Sequence, residues 1–163
     1  MSDPDWIVRA AAPDDLDLLV RWACAMADET EGKALDPNTV RAGIEAGLRE
    51  PSLARYFIAS RRMQVAGRET IDVTAATLML TTEWSDWRNG TWWWIQSVYV
   101  APEHRRAGAY RALHEHVETA ARDADGVIGL RLYVERDNAN AQSTYRALGM
   151  DDAAYQVYEQ LLA

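Results

Sequence analysis

The sequence predicts an α/β fold in which helices flank a mixed, mainly antiparallel sheet. Apolar residues recur at helical spacing in two early segments, three β-rich runs follow, and a helix, strand, helix and strand close the chain. The 163 residues fall within the usual range of about 100–200 for one domain. We therefore expect a single domain over residues 1–163, with no internal repeat or linker.

The N-terminal part of the chain predicts a strand and two helices. Trp6–Ala10 reads as a short strand, and helical spacing of apolar residues favours a helix from Pro13 to about Asp28. Residues 29–35 form a polar stretch that we expect to be a loop. Asp36 as N-cap and Pro37 as first helical residue then predict the second helix.

The middle of the chain predicts three antiparallel strands. The β-rich runs are residues 55–60, 72–82 and 91–100. We expect the polar stretch 61–70 to be a long loop between the first two strands. Asn89-Gly90 is a strong turn signal before the third strand.

The C-terminal part of the chain predicts two helices, each followed by a strand. The expected elements are a helix over 105–122, a strand over 127–134, a helix over 138–148 and a strand over 155–162. Gly149 is the expected C-cap of the second of these helices.

Charge and composition narrow the classes of protein. The chain has 17 Lys and Arg against 25 Asp and Glu, a net charge of −8, which is the wrong sign for holding a nucleic-acid backbone. Its start lacks the basic and apolar regions of a signal peptide, and no run approaches the about 20 apolar residues of a membrane-spanning helix. We expect a cytoplasmic protein without nucleic-acid or membrane partners.

Cysteine and histidine suggest no redox or metal site. The one cysteine, Cys24, cannot form an intrachain disulfide, which agrees with a reducing cytosol. His114-Glu115-His116 is not the zinc motif HExxH, because Glu118 stands where the second histidine would be. We expect no metal cofactor.

The segment from Ser97 to Leu113 has the pattern of an anion site. It joins an apolar strand to a helix through a turn of arginines and small residues. Backbone N–H groups at a helix start suit a pyrophosphate, and Gly108 allows close approach of the backbone. Arginine side chains can add charge-assisted hydrogen bonds; the candidates are Arg105, Arg106 and Arg111. The alternative is an ordinary strand-to-helix turn with solvated arginines.

Two motifs together resemble the Gcn5-related N-acetyltransferase (GNAT) superfamily. The run Arg105-Arg106-Ala107-Gly108-Ala109-Tyr110 is similar to the coenzyme A loop Arg/Gln-x-x-Gly-x-Gly/Ala, with Tyr110 in place of the small residue. Residues 138–150 are similar to the pattern Asn-x-x-Ala-x-x-x-Tyr-x-x-Leu-Gly-Phe, with Met150 for Phe. Their spacing places Asn138, Ala141, Tyr145 and Leu148 on one helix face.

The resemblance implies a sheet that splays where acetyl-CoA enters. It implies that a pantetheine arm is held by backbone groups of Val98, Tyr99 and Val100. It implies a pyrophosphate held by the loop and helix start, comprising Arg105, Arg106, Ala107, Gly108, Ala109, Tyr110 and Arg111. Asn138 would orient the coenzyme or its own helix, and Tyr145 would serve the leaving sulfur.

The chemistry of acetyl transfer to an amine sets two requirements. A lysine-like amine of pKa about 10.4 is neutral in roughly one molecule in 2,500 at pH 7, so a base or an ordered water chain must take its proton. The departing thiolate resembles a cysteine of pKa ~8.5 whereas a tyrosine has pKa ~10, so full proton transfer from Tyr145 is uphill by about 2 kcal/mol. Tyr145 is therefore expected to donate a hydrogen bond to the sulfur. The alternative is that Tyr145 is a core aromatic.

The sequence leaves the base open. Many relatives place a Glu on the strand before the coenzyme loop, but this strand offers only Gln96. Among the acidic residues, we select Glu83 as the candidate catalytic base. The other candidates are Asp86, Glu29 and Glu31. A water relay without a dedicated base is an equal alternative, and each acid could equally be a solvated loop residue.

Five tryptophans lie within eleven residues. They are Trp84, Trp87, Trp92, Trp93 and Trp94. Strand alternation sends Trp93 to the face opposite Trp92 and Trp94, so at least one is expected in the core. The others could wall a pocket for a cationic amine, although core packing is an alternative for each.

We therefore predict an N-acetyltransferase that moves an acetyl group from acetyl-CoA to a primary amine by direct attack, since no covalent nucleophile lies near either motif. The acceptor is a small molecule or a peptide. One alternative is a non-catalytic acyl-CoA-binding or sensing domain, and another is an enzyme for protein N-termini or lysines. Transfer to aminoacyl-tRNA is disfavoured by the acidic balance. A homodimer is weakly favoured, because dimers are common among soluble enzymes.

Overall fold

A computed structural model describes residues 6–65 and 69–162. Its elements are β1 (Trp6–Ala10), α1 (Leu16–Glu31), α2 (Pro37–Arg49), β2 (Arg55–Val65), β3 (Glu69–Ser85), β4 (Gly90–Val100), α3 (Ala109–Asp123), β5 (Val127–Leu132) and α4 (Ala139–Ala147). The chain divides into two compact units, Met1–Tyr133 and Val134–Ala163. That the chain is one domain stays a prediction.

The first unit contains a five-stranded sheet in the order β1-β2-β3-β4-β5. All neighbours pair antiparallel except β4 and β5, which are parallel. The parallel pairing ends at Ile95 opposite Leu132, whereas β4 continues to Val100, which pairs with Ala76 of β3. Within the described residues, 96–100 of β4 have no partner on the β5 side. The predicted mixed, mainly antiparallel and splayed sheet is confirmed.

Helix α3 covers one face of the sheet. Its buried apolar side chains pack with those of the central strands, in a cluster that includes Leu78, Leu80, Trp93, Ile95, Leu113 and Val117. Helices α1 and α2 share a second cluster, and Trp22 of α1 packs with Tyr99 and Ala101 in a third. Tyr99 of β4 therefore contacts α1, while Trp93 and Ile95 belong to the α3 cluster.

A β-bulge at Gln96 changes which side chains of β4 contact each helix. Ile95 lies opposite Leu80 and Ser97 lies opposite Met79, so that Gln96 has no opposing residue. Before the bulge Trp93 and Ile95 lie in the α3 cluster, and after it Val98 and Val100 pack against that cluster. An extra residue in one strand reverses the alternation of the residues that follow.

Two helix boundaries differ from the sequence expectation. Helix α1 extends into the expected loop over 29–35 as far as Glu31 and ends at Gly32, whose φ of +61° is not helical. Helix α3 begins at Ala109 rather than at Arg105, because Arg106 (φ +62°) and Gly108 (φ +94°) take left-handed conformations that no helix accepts.

The expected loop over 61–70 is largely strand. Residues 61–65 pair with 69–73, so β2 and β3 continue as a hairpin. Backbone hydrogen bonds between two strands form whatever the polarity of the side chains, and Arg62 and Asp72 add an ion pair across them. The tip, 66–68, lies outside the described residues.

The second unit contains α4. The side chain of Asn138 accepts a hydrogen bond from the backbone N–H of Ala141 (3.0 Å), and Gly149 follows the helix with φ +84°. The predicted helix is confirmed and ends before Gly149, although its C-cap residue is Leu148 rather than Gly149. The strand expected over 155–162 is wrong, since residues 151–162 form no helix or strand. A strand needs a second backbone to pair with, and the apolar residues of this segment do not alternate strictly.

The buried His114 makes stability depend on pH. Burial in α3 lowers the pKa of this imidazole, with Glu118 and Glu115 opposing the shift, whereas an unfolded histidine titrates near about 6.5. The unfolded chain binds more protons below that pH, so stability is complete above pH ~6.5 and falls as the pH drops, by at most about 1.4 kcal/mol per pH unit. In a His114→Gln variant, the urea midpoint of unfolding should depend less on pH between pH 7 and about 5.5, an interval above the usual pKa values of carboxylates. Wild-type midpoints that stay constant over this interval would contradict the prediction.

Candidate functional site

The open edge of β4 is the first component of the site. Beyond Ile95, the strand presents backbone toward the side from which β5 has departed. An unpaired strand edge is a row of donors and acceptors that an extended ligand can pair with. The residues there include Val98, Tyr99 and Val100, which the resemblance gave to the pantetheine arm.

The loop 105–108 is the second component. Arg106 and Gly108 are left-handed, and Ala109 then starts α3 with its side chain buried. Within the loop, the carbonyl of Ala107 accepts a hydrogen bond from the indole Nε1 of Trp6 (3.1 Å). The backbone N–H groups in the first turn of α3 are those that suit a phosphate. The predicted loop and helix start therefore occur together.

Arg105 is held by protein groups. Its Nε donates to the carbonyl of Val100 (3.0 Å) and its Nη2 to Oε2 of Glu29 (2.5 Å), while Oε1 of Glu29 accepts from the hydroxyl of Tyr99 (2.9 Å). The hydrogen bond to Arg105 lowers the pKa of Glu29 and raises that of Arg105. Sequence reasoning placed Arg105 among phosphate ligands and Glu29 among candidate bases, but the structure joins the two.

The other two arginines remain exposed. The side chains of Arg106 and Arg111 make no hydrogen bond or ion pair with the residues described. Their charges lie at the loop and in the first turn of α3, where an anion would be met. Tyr110, which replaces a small residue of the motif, packs against the α3 cluster, with its ring 6.0 Å from that of His114.

The candidate acids already accept hydrogen bonds. One oxygen of Glu83 accepts from Nη1 of Arg131 (2.9 Å) and the other from Nε1 of Trp94. Asp86 accepts from the backbone N–H of Trp87 (2.8 Å), and Glu31 pairs with Lys33. Whether Glu83 is a base stays a prediction, but both of its oxygens are occupied by donors.

Gln96 and Tyr133 meet where β4 and β5 separate. Each follows the last residue pair, Ile95 and Leu132, and the hydroxyl of Tyr133 donates to Oε1 of Gln96 (3.2 Å). Nε2 of Gln96 donates in turn to Thr81 (2.9 Å). The sequence singled out Gln96 as the polar residue of an apolar strand and missed Tyr133, whose position depends on the β4–β5 register.

The tryptophans divide between core and surface. Trp93 is buried, with the guanidinium of Arg55 3.8 Å from its ring centre, which confirms the expected core member. Trp84 and Trp87 are 62% and 87% exposed. Trp92 lies under the guanidinium of Arg131, 4.1 Å away. That any of them contacts an acceptor stays a prediction.

In the second unit, Tyr145 is half-buried in α4 and burial raises the pKa of its hydroxyl. The hydroxyl is therefore protonated throughout the physiological range. Asn138 caps the helix, which is one of the two roles expected of it.

A metal-binding cluster and a membrane-spanning helix are both absent from the described residues. No group of three or more His, Cys, Asp or Glu side chains is placed to hold a metal ion. No helix in this part of the chain combines the length and apolarity needed to cross a membrane.

Comparison with known proteins gives consistent matches. The model of the acetyltransferase (GNAT) family matches residues 25–150. A possible acetyltransferase from Clostridium difficile 630 is 37% identical with a TM-score of 0.84, and the match covers 97% of this chain and 98% of that one. No curated protein sequence matches.

Two aminoglycoside acetyltransferases share the fold. One is an aminoglycoside N-acetyltransferase in complex with CoA, 13% identical with a TM-score of 0.73 over 97% of this chain and 95% of that one. The other, from an uncultured soil metagenomic sample and in complex with sisomicin, is 13% identical with a TM-score of 0.69 over 97% of each chain. At this identity the likeness shows the fold alone.

The left-handed Gly108 gives a stability prediction. A Cβ there would lie 3.5 Å from Nε1 of Trp6, an ordinary contact, so the cost of Gly108→Ala is backbone strain of about 1 kcal/mol. Gly43→Ala in α2 is the matched control, since nothing lies within 4 Å of its Cβ position and alanine favours a helix by about 0.5–1 kcal/mol. Urea denaturation should show opposite signs for the two variants; equal shifts would contradict the account.

Proposed function

The chain belongs to the acetyltransferase (GNAT) family, and from that premise we propose that it transfers the acetyl group of acetyl-CoA to a primary amine. The observation that carries the proposal is the unpaired edge of β4 over 96–100, followed in the chain by the loop 105–108 and the start of α3. An extended amide arm and a pyrophosphate are the two parts of coenzyme A that such a pair of features fits.

Each part of the coenzyme has candidate partners. Backbone groups of Val98, Tyr99 and Val100 would pair with the amides of the pantetheine arm. The pyrophosphate would lie on the backbone of residues 106–111, with the exposed guanidinium groups of Arg106 and Arg111 supplying charge. Arg105 would contribute by holding the loop, because its Nε donates to Val100 and its Nη2 to Glu29.

The reaction is direct attack on the thioester. The amine nitrogen forms a bond to the carbonyl carbon, the C–S bond breaks, and the amine loses a proton while the thiolate gains one. Cys24, the one cysteine of the chain, lies within α1 and away from both motifs in sequence, so no covalent acetyl-enzyme step is needed.

Tyr145 is our candidate for stabilising the leaving sulfur. Because burial raises the pKa of its hydroxyl, complete proton transfer to a thiolate is more unfavourable than for an exposed tyrosine. Its contribution is a hydrogen bond to the sulfur as charge develops, and the proton reaches the thiolate as product leaves.

We assign loss of the amine proton to water. Glu83, the acid selected from sequence, accepts from Arg131 and Trp94 and is better placed to orient those side chains than to take a proton. Glu29 is likewise engaged by Arg105 and Tyr99. Many relatives have a Glu on this strand, but its polar residue here is Gln96, which has no proton-accepting carboxylate.

The acceptor that the charge favours is a cation. A net charge of −8 attracts an amine that is protonated in solution, whether on a small molecule or a peptide. Fold neighbours that act on aminoglycosides supply useful test compounds, including sisomicin. A reducing cytosol remains our proposed compartment, since Cys24 is a free thiol; the homodimer stays a prediction.

A second candidate is an acyl-CoA sensor without turnover. It is favoured by one observation, that Glu83 and Glu29 are both occupied by protein donors. Binding of acetyl-CoA with no transfer to any amine is the behaviour it requires.

Thermal unfolding with acetyl-CoA, followed by thiol release with an amine panel, tests the proposal. Ligand at 100 times its Kd adds about 2.7 kcal/mol, which raises Tm visibly. We expect stabilisation and thiol release with polyamines, sisomicin or short peptides. Stabilisation with no turnover supports the sensor, and an unchanged Tm rejects the coenzyme site.

Tyr145→Phe tests the leaving-group role. A hydrogen bond to a charged group contributes about 1.5–3 kcal/mol, so its loss should lower kcat by about 10- to 150-fold. The Kd for acetyl-CoA should change little, as measured by calorimetry. A variant with full turnover would remove Tyr145 from the mechanism.

Glu83→Gln is the companion variant. If water takes the proton, kcat should fall by less than about tenfold, whereas loss of a general base costs about 10²–10⁴-fold. A loss of that size would restore Glu83 as the base.

A further inference from the structure

We propose that Glu29 is a positioning residue for the coenzyme loop: it holds Arg105 against the end of β4, and coenzyme affinity depends on that hold. The inference rests on the proposed function, because it takes residues 105–108 as the coenzyme loop. Glu29 itself would touch no part of the coenzyme.

The contacts of Glu29 join three separate parts of the chain. It lies in the last turn of α1, 70 residues from Tyr99 at the end of β4 and 76 residues from Arg105 in the loop. One carboxylate oxygen accepts from each partner. A single side chain thus ties the helix, the strand and the loop together.

The two partners of Glu29 are themselves fixed. Tyr99 is 8% exposed and its ring centre lies 5.6 Å from that of Trp22, so its hydroxyl presents a rigid donor. The guanidinium of Arg105 lies 5.7 Å from the ring centre of Tyr99 and also donates to the carbonyl of Val100. In this orientation Arg105 meets all three groups, although its side chain is 45% exposed.

The loop is fixed at two residues, Arg105 and Ala107. Arg105 is fixed at one end by Glu29 and Val100, and Ala107 is fixed by Nε1 of Trp6. Arg106 lies between these two residues with φ +62°, a backbone conformation that residues other than glycine rarely adopt without restraint. Release of Arg105 would leave this strained backbone free to relax, and the N–H groups would no longer converge on a phosphate.

Charge alone predicts the opposite effect of removing Glu29. Coenzyme A is a polyanion, so a carboxylate beside its binding loop repels it, and deletion of that carboxylate should tighten binding. Deletion would also release Arg105 to pair with phosphate. In a variant that remains folded, a weaker affinity after deletion therefore indicates loss of positioning, which makes the sign of the change decisive.

The test measures the Kd of CoA by calorimetry for the full chain and for Glu29→Ala. We expect affinity to weaken by about five- to tenfold. Asp28→Ala is the matched control, because it removes the same charge from the neighbouring exposed position of α1 and should leave Kd unchanged or slightly lower. A Glu29→Ala affinity that is unchanged or tighter overturns the inference.

A double-mutant cycle with Arg105→Ala shows whether the effect passes through Arg105. In the Arg105→Ala background, Glu29→Ala should weaken CoA binding no further. An equal loss in both backgrounds overturns the inference. Tyr99→Phe, which keeps the ring and removes the hydroxyl, should give a smaller loss in the same direction.

Two measurements separate positioning from stability. All Kd values are taken at a temperature where thermal melts show each variant fully folded, so a residue that only stabilised the fold would leave them unchanged. A wild-type chain that binds no CoA would overturn the coenzyme site and this inference with it. Wild-type binding with an unaltered Glu29→Ala affinity would overturn the inference alone.

Discussion

The site depends on the point at which β4 loses its partner β5. Parallel pairing stops after Ile95 and Leu132, while antiparallel pairing with β3 continues to Val100. Buried or half-buried backbone groups need hydrogen-bond partners. The unpaired N–H and C=O groups at this edge of β4 can therefore form hydrogen bonds with a ligand. The bulge at Gln96 lies at the same point and sends Tyr99 to α1, with Val98 and Val100 toward α3.

The loop after β4 is shaped by its neighbours more than by its own residues. Trp6 from the first strand and Glu29 from the first helix reach it from distant parts of the chain. Their contacts fix the backbone at Ala107 and the side chain at Arg105. Arg106 and Arg111 of the loop and helix start are exposed, and their side chains make no hydrogen bond or ion pair with the residues described.

The arrangement of acids bears on the chemistry. Glu83 lies between Arg131 and Trp94, and Glu29 between Arg105 and Tyr99. The hydrogen bond from Arg105 stabilises Glu29 in its charged form and so lowers its pKa, which makes it a weaker base. Each of these carboxylates orders the two side chains that donate to it.

Local patterns in the sequence are sufficient to predict the fold class, the N-cap at Asp36, and the succession of strand, loop and helix around Gly108. These follow from local rules, because spacing, capping and turn preferences involve neighbours in the chain. Only the tertiary structure decided that Arg105 meets Glu29, that the bulge falls at Gln96, and that residues 155–162 form no strand. Each of those outcomes depends on strand register or on a partner far away in sequence, and no local pattern encodes either one.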